Sequence, residues 1–448
     1  MGRGILIWSA MIGAWLTAST GGAATKVWVG RDGGAFGTAA NWNPGGAPGP
    51  GDIAVFSNGY VPGSYDINAD VDATASQLII GTTPLSFAGP GRLTLTSTSS
   101  GTPSSRALVV GSTSSGIGSV QLSSSLPQLN TPSATIGAEA GTNGTLNVTA
   151  GTFYVTGTTA VDDLLIGDHG TGTINVTAGA DVTITGDTYL ATFAGAVGNI
   201  SVTGSGSTWT STGNVQWGKG SGTIMVGRGG VLKANSLRAI GNGTLRGDGA
   251  LVANVQHIGI VSPGISLGTL QIIGTFTQEA GDLLQIDLGG HTASMYDRLS
   301  VSGAVTLGGT LNVTASSLEM IANDVFDILD FGSVRGTFAT INMPALGSSL
   351  AWDLSRLYVD GTIAVVLPGD FNRSGTVDAA DYVAWRNGLG ATYVANDYNV
   401  WRAHWGASAA TAAAAAAPEP SLVVLLFAGI SIGSWCRSAK KGLGRHDA

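Results

Sequence analysis

The chain has 448 residues, of which 70 are glycine and only 11% are charged, and its net charge is −8 with a pI near 5.0. Glycine is at roughly twice its usual share of about 7%, and the accompanying Thr, Ser and Asn suit strands and tight turns rather than disorder. An acidic, weakly charged surface excludes nucleic acid as a partner, because phosphate binding needs clustered Lys and Arg. Cys436 is the only cysteine, so no disulfide can form within the chain.

Residues 1–24 have the three parts of a secretory signal. Arg3 supplies the positive start, residues 5–16 form a short apolar run, and Gly22-Ala23-Ala24 provides a small-residue cleavage site. The alternative interpretation is a buried N-terminal helix. The signal predicts that the mature protein is exported and begins near Thr25.

Residues 25–72 are predicted to cap the structure that follows. They contain Trp28 and Trp42 and a Pro- and Gly-rich stretch that ends in the apolar run 53–56. A first layer of strands exposes apolar edges and unpaired backbone groups, which a cap must cover. The alternative role for the two tryptophans is a platform on which sugar rings stack.

A phrase that begins with glycine recurs through residues 73–253, with leading glycines 21 to 28 residues apart. Its clearest copies are Gly144-Thr-Leu-Asn-Val-Thr-Ala-Gly151 and Gly172-Thr-Ile-Asn-Val-Thr-Ala-Gly179. Looser copies begin at Gly91, Gly118, Gly198, Gly222 and Gly243. Periods of this length are typical of stacked repeats, and apolar residues two positions apart predict strands with one buried face. The sequence therefore predicts a mainly β protein built as a parallel β-solenoid.

Several phrases also have the Asn-x-Thr or Asn-x-Ser pattern of a glycan acceptor, among them those at Asn147, Asn175, Asn199 and Asn312. Because the pattern falls within the repeat, ladders of side chains along stacked strands are the favoured explanation. Residues 254–366 contain more apolar and aromatic residues, and they are predicted to form further β structure that closes the solenoid. The tripeptide Arg246-Gly247-Asp248 is taken as a chance match to an adhesive motif.

The phrases 172–176 and 202–210, and the segment from Gly243 to Leu299, carry a family resemblance. They resemble the repeats shared by autotransporter passenger domains and PEP-CTERM-type exported proteins, over roughly residues 75–315. The resemblance implies a right-handed parallel β-helix at the cell surface or in the medium, and no defined catalytic activity.

Residues 370–381 have the spacing of an EF-hand-type calcium loop. Gly375 occupies position 6, where the chain turns sharply, and position 12 holds Asp where the EF-hand consensus has Glu. The predicted Ca²⁺ ligands are the side chains of five residues and the carbonyl of a sixth: Asp370, Asn372, Ser374, Asp378 and Asp381, with Thr376. The alternative is an Asp- and Gly-rich surface turn.

The module 367–407 is similar to a type I dockerin, in which Asp at position 12 is typical and a helix follows the loop. Asp381-Tyr-Val-Ala-Trp-Arg386 is echoed by Asp397-Tyr-Asn-Val-Trp-Arg402, but residues 391–396 lack the ligands of a second loop. The resemblance implies a small α-helical module whose two helices pack together, and a cohesin-like partner.

The C-terminal residues follow an Ala-rich linker at 408–417. Pro418, Glu419 and Pro420 precede an uncharged apolar run, residues 421–435, and a basic end with Arg437, Lys440, Lys441 and Arg445. The run predicts a short hydrophobic membrane helix with a cytoplasmic end. Residues 418–448 resemble the PEP-CTERM sorting signal, which implies cleavage by an exosortase, transient anchoring in the inner membrane of a bacterium, and delivery to the cell surface. A plain membrane tail is the alternative.

The favoured function is that of a structural or adhesive surface protein whose Thr- and Asn-rich faces contact extracellular polysaccharide or a neighbouring protein. The alternatives are a polysaccharide-active β-helix enzyme, lyase or glycosidase-like, and a dockerin-anchored carbohydrate-binding protein. Carboxylates are sparse in the repeats, and Asp168-His169 is the candidate enzymatic cluster there. No nucleophile elbow, zinc spacing or phosphate loop is present, so no catalytic residue is predicted.

Overall fold

The computed structural model describes residues 24–408, except 57–64, 82–83, 98–101, 103–104, 113–116, 124–127, 158–163, 241 and 317. Nearly all of the predicted signal, the linker from residue 409 onwards, and the sorting tail with its hydrophobic helix therefore lie outside the described residues. The chain divides into two units. One contains residues up to 318 with 326–344 and 355–363, and the other contains 319–325, 345–354 and residues from 364 onwards.

The described strands and helices follow in chain order. The first strands are β1 (Thr25–Trp28), β2 (Gly34–Ala35), β3 (Trp42–Asn43), β4 (Ile53–Phe56), β5 (Tyr65–Asn68), β6 (Ala73–Ala75), β7 (Gln77–Ile80), β8 (Pro84–Ala88), β9 (Leu93–Leu95), β10 (Leu108–Val110), β11 (Ile117–Leu122), β12 (Gln128–Thr131) and β13 (Ala134–Ile136). The middle strands are β14 (Asn143–Val148), β15 (Thr152–Val155), β16 (Leu164–Ile166), β17 (Thr171–Val176), β18 (Asp181–Ile184), β19 (Thr188–Leu190), β20 (Val197–Thr203), β21 (Thr208–Ser211), β22 (Val215–Trp217), β23 (Ser221–Gly227), β24 (Val231–Ala239), β25 (Asn242–Gly247) and β26 (Ala250–Gln256). The remaining strands are β27 (Gly259–Pro263), β28 (Thr269–Ile273), β29 (Phe276–Thr277), β30 (Leu283–Leu288), β31 (Arg298–Leu307), β32 (Thr310–Ala315), β33 (Val325–Asp327), β34 (Leu329–Gly336), β35 (Thr340–Asn342), β36 (Ala351–Asp353) and β37 (Thr362–Val366). Short 3-10 helices lie at Ala39–Asn41 and Ala293–Met295, and the α-helices are α1 (Ala379–Gly388) and α2 (Asp397–Ala403).

The first unit is a parallel β-solenoid of about 11 turns, as the repeats predicted. A complete turn contributes three strands, as in β14, β15 and β16, and each pairs in parallel with its counterpart one turn later. Face A is the thirteen-stranded sheet from β2 to β35, which contains β14. Faces B and C, which contain β15 and β16, belong to one 21-stranded sheet, because β24 spans the corner and pairs with both.

The repeated phrase lies on face A, and its alternation fills the core. Ile174 and Val176 of β17 are fully buried, whereas Thr173 and Asn175, which alternate with them, lie on the outer side. Burying one such aliphatic side chain contributes about 1.5–3 kcal/mol. Stacking identical turns repeats this contribution along the solenoid.

The leading glycines stack in register, with Gly144 opposite Gly172 and Gly172 opposite Gly198. A Cβ at Gly172 would lie 2.2 Å from the nitrogen of Gly167 and 2.2 Å from the carbonyl oxygen of Ile136. Close packing against the corner of the neighbouring turn therefore requires glycine here. Gly167, at that corner, has φ +70, a backbone conformation that L side chains rarely adopt.

Two details differ from the sequence analysis. The supposed copy that begins at Gly91 is wrong, because its residues form β9, which pairs with β6 and β12 on face B. Its Leu-Thr-Leu pattern has the same two-residue period as face A, so periodicity alone cannot tell the faces apart. Parallel pairing also continues across residue 253, since β26 pairs with β28 and β29. The transition predicted there coincides with no break in the solenoid.

The two N-terminal tryptophans are inside the core. Trp28 and Trp42 are 5% and 2% exposed, and their rings meet edge to face at 5.1 Å. Phe36 and Phe56 pack on Trp42 at 5.0 and 5.4 Å, and the Trp42 Nε1 donates to the Phe36 carbonyl at 2.7 Å. Neither indole presents a face on which a sugar ring can stack.

The second unit combines an antiparallel strand pair with the two helices. β36 pairs with the end of β37, with Ala351 opposite Val366 and Asp353 opposite Ala364. Helices α1 and α2 coincide with the two Asp-Tyr-x-x-Trp-Arg copies. In the described part of the chain, no helix has the length and hydropathy needed to cross a membrane.

Candidate metal centre

The predicted calcium loop lies between β37 and α1, and its first carboxylate organises the turn. Asp370 is 8% exposed, and its Oδ1 and Oδ2 accept the backbone amides of Ser374 at 2.9 Å and Gly375 at 2.7 Å. Gly375 has φ +85, which explains glycine at loop position 6. The chain therefore folds around Asp370.

The last loop carboxylate, Asp381, is fully buried and joins both ends of the loop. Its Oδ1 accepts the amide of Asn372 at 3.0 Å, and its Oδ2 accepts the amide of Asp378 at 2.8 Å. The Asp378 Oδ1 in turn accepts the amide of Ala380 at 2.8 Å. Asp378 and Asp381 thus form a capping box that starts α1.

The neutral side chains complete the loop. The Asn372 Oδ1 accepts the Ser374 amide at 2.9 Å, and the Ser374 hydroxyl donates to the Thr376 carbonyl at 3.1 Å. The structure therefore connects five of the six predicted ligands through one hydrogen-bonded loop, from Asp370 to Asp381. It uses the carboxylate of the sixth, Asp378, as a helix cap.

The electrostatics of the loop favour a positive charge. Burial raises the pKa of the Asp370 carboxyl above its usual value, the amides of Gly375 and Ser374 lower it, and the nearby Asp381 carboxylate raises it further. An added cation would relieve both the burial cost and the repulsion between the two carboxylates. The loop offers carboxylate, carboxamide, hydroxyl and carbonyl oxygens, the donors that Ca²⁺ prefers.

Two carboxylates, Asp370 and Asp381, come together in this loop, the Asp378 carboxylate caps α1, and the other donors are neutral. Within the described ranges, no group of three or more His, Cys, Asp or Glu side chains is arranged to hold a metal ion. The donor types fit Ca²⁺, with Asn372, Ser374 and the Thr376 carbonyl supplementing Asp370 and Asp381.

The loop is supported by residues outside the motif. The Val377 amide donates to the Ala407 carbonyl at 2.8 Å, and the Gly406 amide donates to the Val377 carbonyl at 2.9 Å. The Trp401 Nε1 donates to the Asp378 carbonyl at 2.8 Å. A short strand-like contact after α2 therefore holds the middle of the loop. The sequence contains no motif that predicts it.

Aromatic side chains join the two helices. Tyr382 of α1 contacts Tyr398 and Trp401 of α2 at ring distances of 6.1 and 5.4 Å, and Trp385 contacts Tyr398 at 5.4 Å. The repeated Tyr and Trp positions therefore pack on each other. Such contacts add about 0.5–1.5 kcal/mol beyond area burial.

The candidate enzymatic pair occupies the turn between β16 and β17. Asp168 is 2% exposed, and its Oδ2 lies at hydrogen-bond distance, 2.6 Å, from the His169 Nδ1. The His169 ring stacks on Phe193 of the next turn at 4.1 Å and 21°. This arrangement fixes the imidazole against the solenoid.

The sorting residues Pro418, Glu419 and Pro420 lie outside the described residues. A comparison of the sequence with protein-family models found no match, and a comparison with curated proteins found none either.

Proposed function

We propose that the protein is an exported scaffold of the cell surface or extracellular matrix, in which a right-handed β-helix carries a calcium-binding, dockerin-like module. The observation that supports this most is the parallel solenoid of about 11 turns with polar side chains paired along its outside. Asn175 donates to Asn147 at 2.8 Å, and Asn312 donates to Gln285 at 2.8 Å. Right-handed winding follows from the strong preference of parallel crossovers.

The calcium role rests on the loop. Asp370, Asn372, Ser374, Asp378 and Asp381 would supply side-chain ligands and Thr376 its carbonyl. Bound Ca²⁺ would supply positive charge that holds the loop closed. Asp378 would have to share its carboxylate with the cap of α1.

Calcium titration of the purified full chain by calorimetry tests this role. We expect one site, weakened at least tenfold in the Asp370→Asn variant and unchanged in Asp397→Asn, whose carboxylate lies in the loop-less copy. No heat of binding up to millimolar Ca²⁺ would remove calcium from the proposal.

Export and sorting form the second part of the proposal. The support is the sequence alone: a signal at 1–24, and Pro418, Glu419 and Pro420 ahead of an apolar run and a basic end. An exosortase-type protease would cleave near the Pro-Glu-Pro. Mass spectrometry of the exported protein tests this, because an intact peptide from Arg437 to Ala448 in that fraction contradicts processing.

The proposed role is non-catalytic, with extracellular polysaccharide or a cohesin-like protein as the partner. The polysaccharide-active alternative would need Asp168 or another carboxylate to move a proton. Incubation with neutral and acidic polysaccharides should release no reducing ends or unsaturated sugars. Release that is lost in Asp168→Ala would establish an enzyme instead.

A further inference from the structure

A cleft of about 380 Å³ lies on the outer side of face B. Its walls come from four successive strands, with Val231 of β24 opposite Ala250, Ala250 opposite Gln271, and Gln271 opposite Ser300. Neighbouring strands are about 4.8 Å apart, so the cleft extends roughly 14 Å along the solenoid. Its volume is within the range of small-ligand pockets.

Part of the cleft is lined by residues that have no side chains. Gly229, Gly230 and Gly249 line this part. A Cβ at Gly230 would lie 2.3 Å from the carbonyl oxygen of Val202, and one at Gly249 would lie 2.7 Å from the carbonyl oxygen of Gly230. The close packing of the backbone therefore allows no side chain at Gly230 or Gly249, and the backbone is exposed along this part of the cleft.

The other part of the lining is polar, and its side chains are available to form hydrogen bonds with a ligand. Thr269, Gln271 and Ser300 line the cleft, and none has a side-chain hydrogen bond to any residue that the structure describes. Elsewhere on the solenoid, polar side chains of adjacent turns pair, as in Gln285 with Asn312. The polar side chains of these three residues therefore line one recess without a hydrogen-bond partner among the described residues.

Charge restricts what the cleft can hold. Arg298 borders it, but its guanidinium is paired with Asp327 at 2.8 Å and Asp330 at 2.9 Å. Asp248 borders it too, with Oδ1 bonded to the Arg228 amide at 2.6 Å and no described partner for Oδ2. Because two carboxylates already pair with the Arg298 guanidinium and Asp248 adds a further negative charge to the lining, the cleft disfavours an anionic ligand and leaves carboxylate oxygens to accept from hydroxyl groups.

We propose that this cleft binds a neutral, hydroxyl-rich glycan segment. The amide of Gln271 and the hydroxyls of Thr269 and Ser300 exchange hydrogen bonds with sugar hydroxyls, and the Asp248 carboxylate accepts one. The glycine wall lets the chain approach the backbone. The inference rests on the proposed role with extracellular polysaccharide as the partner, and it gives that partner a defined site and a chemical class.

Calorimetry on the purified full chain tests the inference. The probes are cellohexaose, mannohexaose and xylohexaose, with hexagalacturonate as the acidic comparison. The variants are Gln271→Ala and Ser300→Ala, which remove one polar group each, and Ala250→Trp, which fills the recess. Thr173→Ala on face A is the matched control, since it also removes an outward hydroxyl.

We expect one of the neutral hexasaccharides to bind more tightly than hexagalacturonate. Gln271→Ala and Ser300→Ala should weaken it about three- to tenfold each, Ala250→Trp should abolish it, and Thr173→Ala should leave it unchanged. The inference is overturned if no neutral probe binds at 10-millimolar concentrations, on the order of the weakest specific affinities. It is also overturned if hexagalacturonate binds better, or if both alanine variants bind the neutral probe with unchanged affinity. None of these outcomes bears on export, sorting or calcium, which have their own tests.

Discussion

The solenoid and the calcium-loop module are stabilised in different ways. In the solenoid, buried aliphatic residues such as Ile174 and Val176 recur in each turn. Backbone hydrogen bonds join each strand to its counterpart in the next turn. In the module, α1 and α2 have 10 and 7 residues, and carboxylates hold the loop that precedes α1. Helices this short are marginal alone. The comparison leads us to expect that the repeats fold without a ligand, whereas the module gains stability when its loop binds a cation.

Truncating a core residue of the solenoid should have the largest effect. Ile174→Ala removes a fully buried side chain between two neighbouring turns, and we expect a loss of about 2–5 kcal/mol. Thr173→Ala, one residue away on the outer side, should change stability by less than about 0.5 kcal/mol. Urea denaturation followed by circular dichroism compares the two. Equal losses would mean that the alternation does not define the core.

A buried carboxyl within the solenoid should make its stability depend on pH. Burial raises the pKa of Asp297 to about 7, partly offset by the backbone amides of Asp287 and Gly268, which donate to it. Between pH 3.8 and about 7, the folded state therefore holds a proton that the unfolded state, in which the carboxyl has its ordinary pKa of 3.8, has released. The resulting stabilisation is complete below pH 3.8 and is lost as the pH rises through about 7.

Asp297→Asn should remove this dependence. We expect the wild-type chain to lose on the order of 4 kcal/mol relative to the variant between pH 4 and pH 8, because the pKa shift spans about three pH units at about 1.4 kcal/mol each. Thermal melts of both chains across this range measure the difference. Parallel curves would show that Asp297 titrates as an ordinary exposed carboxyl.

The amide ladder should contribute least. Asn175→Ala removes the half-buried side-chain hydrogen bond to Asn147. Because water partly replaces this bond, we expect the free energy of unfolding to fall by about 0.5–1 kcal/mol. The double variant with Asn147→Ala should cost little more than either single change. Fully additive losses would mean that the two amides act independently.

The phrase that begins at Gly144 and Gly172 was sufficient to predict the solenoid, because face A has long strands with strict alternation. The sequence pattern does not distinguish the strands of faces B and C from those of face A. Their strands are often three residues long, as in β9 and β16, and three residues carry too little pattern to assign a face. The pairing of strands that are 20 to 30 residues apart decides the face, and periodicity does not report it.

The candidate site was predictable only in part for a related reason. Asp370 and Gly375 occupy positions that local spacing defines, and the structure places both at the centre of the loop. Asp378 satisfies two local rules at once, ligand spacing and helix capping, and the structure uses the second. The contact between Val377 and Ala407 and the cleft at Gln271 both depend on segments distant in sequence. No local motif contains that information.

Hydrogen exchange of the full chain, with calcium and then with EGTA, tests the central comparison most directly. We predict that chelation speeds amide exchange in residues 368–406 by at least tenfold, because bound calcium stabilises the closed loop by mass action. Amides of β14 to β22 should exchange at the same rate in both conditions. Unchanged exchange in 368–406, or faster exchange throughout the solenoid, would contradict the account.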